Sequence, residues 1–330
     1  MDMAAFDQVR QLAASHYLVR ALHVAAELDV AGRVGQGKRP VAALAEEADA
    51  NADALGRLLR LLASRGIFVF DGTDVSNTPA SELLASGHPA SLRDFVLMFG
   101  QPIQWTMAGD LMHAVRSGEA VADRAHDGGL WSYFKDNPEY GRQFDGAMTA
   151  KSAAQIGGIL ATHDFSRYRR IVDVGGGRGH LLAAIRGRHP QLECVLFDLP
   201  QVIAAAEAEG AAAQLRLVGG DFFTNDLPAG DAIILQEILH DWDDAHCHRI
   251  LAAARRALAP GQRLLVIETE VPPGDTPDWS KLLDVVMLAA FAARQRTADE
   301  YRTLLAAQGF RLLAGTDTGA GISIFEAEPL

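Results

Sequence analysis

Apolar positions recur at spacings of three and four through residues 1–166, then give way from Arg170 onward to short apolar runs separated by helical stretches. In the first half Tyr17, Leu18, Ala21, Leu22 and Ala25 mark an amphipathic helix. Helices over 41–48 and 52–65 lead to a short apolar run at 67–70 and an Asp71-Gly72 turn. Two helices, a β-turn and a small ribbon read together as a winged helix-turn-helix. In the second half the pattern predicts strands at 171–174, 194–198, 215–218, 232–235 and 264–268, apolar enough for burial on both faces of a parallel sheet. The helix predicted over 243–258 places Cys247, Ile250, Leu251, Ala254 and Leu258 on one face. Acidic residues open it, Arg255 and Arg256 close it, and Pro260-Gly261 ends it. Thr297 to Glu300 is a capping-box sequence for a helix that stops near Gly309, and strands at 310–314 and 322–327 follow. Repeated βα units predict an α/β, doubly wound sheet, with ligands at the carboxyl ends of its strands. The expected organisation is a mostly helical domain at 1–166 and a nucleotide-binding type of domain at 167–330, in keeping with the length of 330 residues.

Charge changes how the winged helix is read. Arg57, Arg60 and Arg65 on its second helix suggest DNA contact, but 30 basic residues against 42 acidic ones leave a net charge of −12. Such a surface repels phosphate backbones and anionic membranes, so the module is expected to serve dimerisation or substrate contact, not nucleic acid. Two distant cysteines, Cys194 and Cys247, build neither a disulfide framework nor a multi-cysteine metal site. The longest apolar run, 285–293, falls short of a membrane span, and the first residues carry no secretory pattern. The expectation is a cytoplasmic protein. His246, Cys247 and His248 invite a metal reading, but adjacent helical residues point in different directions, so no metal is expected.

Candidate chemistry starts at the first strand of the second half, which runs into Val172-Asp173-Val174-Gly175-Gly176-Gly177-Arg178-Gly179. Strand, glycine loop and helix let a nucleotide approach the backbone closely through Gly175 and Gly177. The spacing matches neither the dinucleotide fingerprint, which needs glycine where His180 stands, nor a phosphate-binding Gly-Lys-Ser/Thr loop. Asp198, about twenty residues on, ends the second strand where a carboxylate accepts both hydroxyls of a ribose. Asp221 and Phe222 end the third, where an acid and an aromatic suit a purine's amino group and ring face. Each acid alone reads equally as a helix cap or turn. Three successive strand ends together point to an adenosine site. His240 follows the fourth strand on the same edge, and imidazole, with a reference pKa of about 6.5, suits proton removal.

The series DVGGGRGHLL, FDLPQVI, GGDFF, LHDWDD and RALAPGQRLLVIE resembles the S-adenosylmethionine-dependent O-methyltransferases of the plant caffeate and bacterial polyketide-tailoring type. The resemblance covers most of the chain. It implies a Rossmann-like methyltransferase domain, a winged-helix-like N-terminal dimerisation domain forming a homodimer, and a substrate pocket between the domains. It also implies S-adenosylmethionine as cofactor, S-adenosylhomocysteine as product, and His240 as general base. The family's second catalytic acid matches Glu268; its third falls on Gln295, which orients an imidazole without supplying charge. Where the family often carries Lys-Trp, this chain has Gln236-Glu237, with Gln236 expected at the cofactor. Among the bulky residues, the resemblance moves Trp105, Phe144, Met148, Met287 and Phe291 from core toward an apolar wall for a small aromatic or polyketide-derived acceptor.

The expected activity is methyl transfer to a hydroxyl of such a metabolite. Gln236 and Gln295 motivate an alternative in which the bound cofactor serves hydroxylation, decarboxylation or pericyclic chemistry. A cofactor-sensing winged-helix regulator is a third reading, opposed by the acidic balance.

Overall fold

The computed structural model describes residues 2–208, 210 and 214–330. Its packing groups the chain into two units, Met1–Thr106 with Tyr133–Ala150, and Met107–Ser132 with Lys151–Leu330. A single break at Ser166 puts 107–132 and 151–166 with the first half; the packing puts both with the second.

The first unit is helical around a small sheet, in which β1 (Lys38–Pro40), β2 (Phe68–Phe70) and β3 (Asp74–Asn77) pair antiparallel in the order β1-β3-β2. Its helix Ala52–Ala63 forms because Asn51 caps the Ala54 N–H and Leu55, Leu59 and Leu62 fall on one face, which the core buries. The β2–β3 turn is made by Asp71, whose side chain accepts from the Thr73 and Asp74 N–H groups, and by Gly72 at a φ of 108°. Helix Met3–Ala13 buries no residue and exposes Met3, Phe6, Val9 and Leu12.

The second unit is a seven-stranded sheet of β4 (Arg170–Val174), β5 (Glu193–Asp198), β6 (Arg216–Gly219), β7 (Ala232–Gln236), β8 (Arg263–Glu268), β9 (Phe310–Asp317) and β10 (Ser323–Pro329). The order is β6-β5-β4-β7-β8-β10-β9, parallel except for β10, which runs antiparallel to both neighbours. Alternate residues feed the two faces. Val172, Val174, Val195 and Phe197 join one apolar cluster, and Ile171, Cys194 and Leu196 the other. Strand β9 continues past the expected 314 through Gly315, Thr316 and Asp317, because an edge strand needs no apolar pattern when β10 supplies its hydrogen bonds. The strand order reverses between β4 and β7, the position in such sheets where a crevice opens for a ligand. Both the glycine loop and the His240 segment leave the sheet there.

Candidate active site

The loop after β4 turns at Gly175, with a φ of 74°, while its N–H donates to Phe197 O at 2.8 Å. A Cβ at Gly175 would collide with Ile238 Cδ1, and Phe222 Cε1 lies 4.0 Å from the same point. A Cβ at Gly177 would meet nothing within 4 Å, so open space lies above the loop. The Gly177 N–H donates to Asp198 Oδ2 at 2.8 Å, and the Leu199 N–H to Oδ1 at 2.7 Å. Each carboxylate oxygen thereby keeps a second lone pair for a ligand hydroxyl. Burial raises the Asp198 carboxyl against these two N–H donors, and burial together with the Asp198 charge pushes Asp173 up to about 7. Asp221 turns inward on its own loop: its Oδ1 accepts the Phe223 N–H, and its N–H donates to Asn225 Oδ1, both at 2.8 Å. Phe222 stands edge-on to Phe223 and Trp242 at the rim of the core. Half-buried Gln236 ends β7. A sulfonium nucleoside needs a diol acceptor, a backbone it can lie against and an apolar ring face. Asp198, the glycine turns and the Phe222–Ile238 pair fit those needs.

His240 sits on a short 3-10 turn, Leu239–Asp241, just beyond β7. Three side chains approach its ring. Gln295 Nε2 is 3.0 Å from Nδ1, Glu268 Oε2 is 3.5 Å from Nδ1, and Asp241 Oδ1 is 3.4 Å from Nε2. The structure thus brings His240, Glu268 and Gln295 together, with the glutamine as the direct hydrogen-bond partner. Glu268 spends Oε1 on the backbone, accepting the Ile238 and Leu239 N–H groups at 3.0 and 2.7 Å. Among the described residues its Oε2 has no hydrogen-bond partner.

Full burial pushes Glu268 up to about 7, with His240 opposing and the Glu237 charge adding. Between the ordinary 4.5 and about 7 the folded chain holds this proton and an unfolded one does not. Glu268 therefore favours the fold at low pH, and that contribution is lost as pH rises through about 7. Glu268→Gln keeps an acceptor for the two amides, so denaturation midpoints of the variant should fall less than wild type between acidic and alkaline buffer. Asp173 carries the same sign, so the slope is expected to become shallower without vanishing.

Arg296, Lys151 and Gln155 surround this turn and the Glu237 before it, and none of them was singled out from the sequence. Arg296, 1% exposed, donates from Nη1 to Leu239 O at 2.9 Å and from Nη2 to Trp242 O and Asp244 Oδ1 at 3.1 and 2.7 Å. Glu268 on the amides and Arg296 on the carbonyls hold the His240 turn from both sides. Glu237, three residues before His240, adopts a φ of 52° and pairs through Oε1 with Lys151 and Gln155 of helix Pro138–Thr162. For Glu237, burial works upward, but the Lys151 and His240 charges outweigh it and hold the carboxyl below its ordinary value. One signal was available: helix positions 144, 148, 151 and 155 share a face, so the stripe begun by Phe144 and Met148 continues into Lys151 and Gln155.

Of the expected apolar wall, Met287 is buried and Phe291 half-buried on helix Trp279–Phe291, where Phe291 stacks on Trp131 at 5.5 Å. Trp105, Phe144 and Met148 belong to the first unit. There Trp105 stands edge-on to His23 and Phe144 packs against Phe134. Cys247 is core, with its thiol pushed up to about 12 by burial, and His246 bonds to Asp243. Among the described residues no three His, Cys, Asp or Glu side chains are grouped to hold a metal ion, and no helix is long and apolar enough to cross a membrane.

A family profile for an O-methyltransferase domain matches residues 108–311, and one for an O-methyltransferase dimerisation domain matches residues 10–87. The chain belongs to the O-methyltransferase family. This O-methyltransferase is 36% identical over 325 residues to the phenazine O-methyltransferase PhzM of Lysobacter antibioticus, covering 97% of this chain and 95% of the relative. It is 36% identical over 313 residues to the 3-amino-4-hydroxybenzoate 4-O-methyltransferase of Streptomyces cremeus, covering 92% of this chain and 84% of the relative. The SAH-bound crystal structure of CalO1, a methyltransferase in calicheamicin biosynthesis, superimposes with a TM-score of 0.90 at 33% identity, covering 100% and 99% of the two chains. The fold is that of S-adenosylmethionine-dependent methyltransferases, and the enzyme is an S-adenosylmethionine-dependent O-methyltransferase of the secondary-metabolite type.

Proposed function

We propose that this O-methyltransferase methylates a hydroxyl of a small aromatic or polyketide-derived metabolite, with His240 as the general base. The arrangement that carries the reading is His240 at the carboxyl edge of the sheet, with Gln295 and Glu268 both at Nδ1. A base acting through Nε2 needs its hydrogen on Nδ1. A half turn of the Gln295 amide offers Oε1 to that N–H, and Glu268 Oε2 faces the same hydrogen. Glu268 Oε2 is buried without a hydrogen-bond partner among the described residues, so this tautomer satisfies an oxygen that is otherwise costly to bury. When Nε2 takes the acceptor's proton, the carboxylates of Glu268 and Asp241 stabilise the imidazolium from opposite sides. S-adenosylmethionine supplies a methyl group already activated by a sulfonium whose leaving group is a neutral thioether. Asp198 would accept its ribose hydroxyls; Gly175, Gly177, Asp221, Phe222 and Gln236 would line its nucleoside and methionine ends. Met287 and Phe291 present an apolar face suited to a flat ring.

The dimerisation domain supports a homodimer. We infer that helix Met3–Ala13, which exposes Met3, Phe6, Val9 and Leu12, takes part in it. Transfer of labelled methyl from S-adenosylmethionine to a panel of phenols, naphthols and anilines tests the acceptor class. Label recovered as an aryl methyl ether is the expected result; label appearing only on nitrogen, or on none of the panel, overturns it.

A further inference from the structure

Two charged side chains and an amide lie in the second unit where fold stability gives no reason for them. Lys151 and Glu237 form an ion pair whose side chains are only 21% and 16% exposed. Glu237 holds a left-handed backbone, a conformation that costs a residue with a Cβ, although its N–H completes the sheet to Ile267 O at 2.9 Å. Taking an ion pair out of water rarely improves stability over apolar residues of the same size. Beside it Gln155, 3% exposed, donates to Glu237. A carboxylate only accepts, so the Gln155 nitrogen must face Glu237, and its Oε1 is left buried without a partner among the described residues. Both hydrogen bonds to Glu237 fall on Oε1, which leaves Oε2 with its lone pairs. Glu237 lies three residues before His240 and within reach of its charge.

Gln155 Oε1 and Glu237 Oε2 are thus left as open acceptors beside the segment that leads to His240. We propose that Lys151, Gln155 and Glu237 form a polar subsite that selects aromatic acceptors carrying a second hydrogen-bond donor, a hydroxyl or amino group, close to the methylated oxygen. The proposal rests on the hydroxyl-methylating reading above and adds the substrate feature this chain recognises. Lys151 neutralises Glu237, so an uncharged donor suffices. An anionic substituent would face the carboxylates of Glu237 and Asp241.

The test is calorimetric binding to the enzyme saturated with S-adenosylhomocysteine, using 2,3-dihydroxynaphthalene and 3-methoxy-2-naphthol, which share a skeleton but differ in the second donor. Wild type is expected to bind the diol about 10–100-fold tighter, the cost of leaving buried acceptors unpaired. The Lys151→Met/Glu237→Gln double variant, which removes both charges together, should bring the ratio to within about threefold. Gln155→Leu, which disturbs no charge, should reduce it several-fold and serves if the double variant does not fold. Equal binding of the two probes by wild type, or an unchanged ratio in a folded variant, overturns the subsite. So does tighter binding of 3-hydroxy-2-naphthoate than of the diol. Binding is read without turnover, so an absence of methyl transfer counts against the reaction and leaves the subsite measurement standing.

Discussion

Arg296→Met is expected to lower stability by about 2–4 kcal/mol, because buried carbonyls left without donors cost roughly 1–3 kcal/mol each. The guanidinium bonds Leu239 O, Trp242 O and Asp244 at once, a fork no other cation reproduces. Asp244 is exposed enough to be rehydrated, and the Cys247 thiol still reaches Leu239 O at 3.2 Å, so the carbonyls do not lose every donor. Without the fork the turn that carries His240 keeps Glu268 on its amides and the weaker Cys247 thiol on Leu239 O. Denaturant midpoints measure the stability loss. Turnover should fall further than affinity for S-adenosylhomocysteine, since Asp198 and the glycine loop are untouched. Arg296→Lys should recover only part of either. A variant as stable and active as wild type would show that the turn does not depend on the fork.

His240→Ala is expected to lower kcat by roughly 10²–10⁴-fold, the contribution of a positioned general base. S-adenosylhomocysteine affinity should change little, because His240 bonds to none of the residues at the glycine loop. The loss should be largest for acceptors with weakly acidic hydroxyls, and smaller for a phenol that is already ionised, whose methylation needs positioning alone. Gln295→Ala removes the hydrogen bond at Nδ1 while keeping Glu268 close, so it should lower kcat by less than His240→Ala. Equal rates in His240→Ala and wild type would mean that proximity suffices.

Much of this was legible in the sequence. Short apolar runs located the parallel strands and the cap residues located the Thr297–Glu300 capping box, because each depends on neighbours within a few residues. Motif order brought Gly177 to Asp198 and His240 to Glu268 and Gln295, since all leave the same sheet edge. What stayed hidden joins residues far apart in the chain. Lys151 meets Glu237 across 86 positions, and no local spacing announces such a pair. The clamp of Arg296 on the His240 turn depends on carbonyl directions that no residue pattern encodes. The division of Glu268 between two amides and an imidazole is likewise a matter of which oxygen points where. Phe222 shows the converse: it read as a ring for adenine, and the fold also uses it against Trp242 at the core's rim.

The most direct test of the proposed reaction is a single-turnover experiment on wild type and His240→Ala with a hydroxylated aromatic the enzyme methylates. Both the methyl ether and S-adenosylhomocysteine are counted. The expected result is one S-adenosylhomocysteine per methyl ether and a rate roughly 10²–10⁴-fold lower in His240→Ala. Equal single-turnover rates in the two enzymes, or acceptor consumed without formation of S-adenosylhomocysteine, would contradict it.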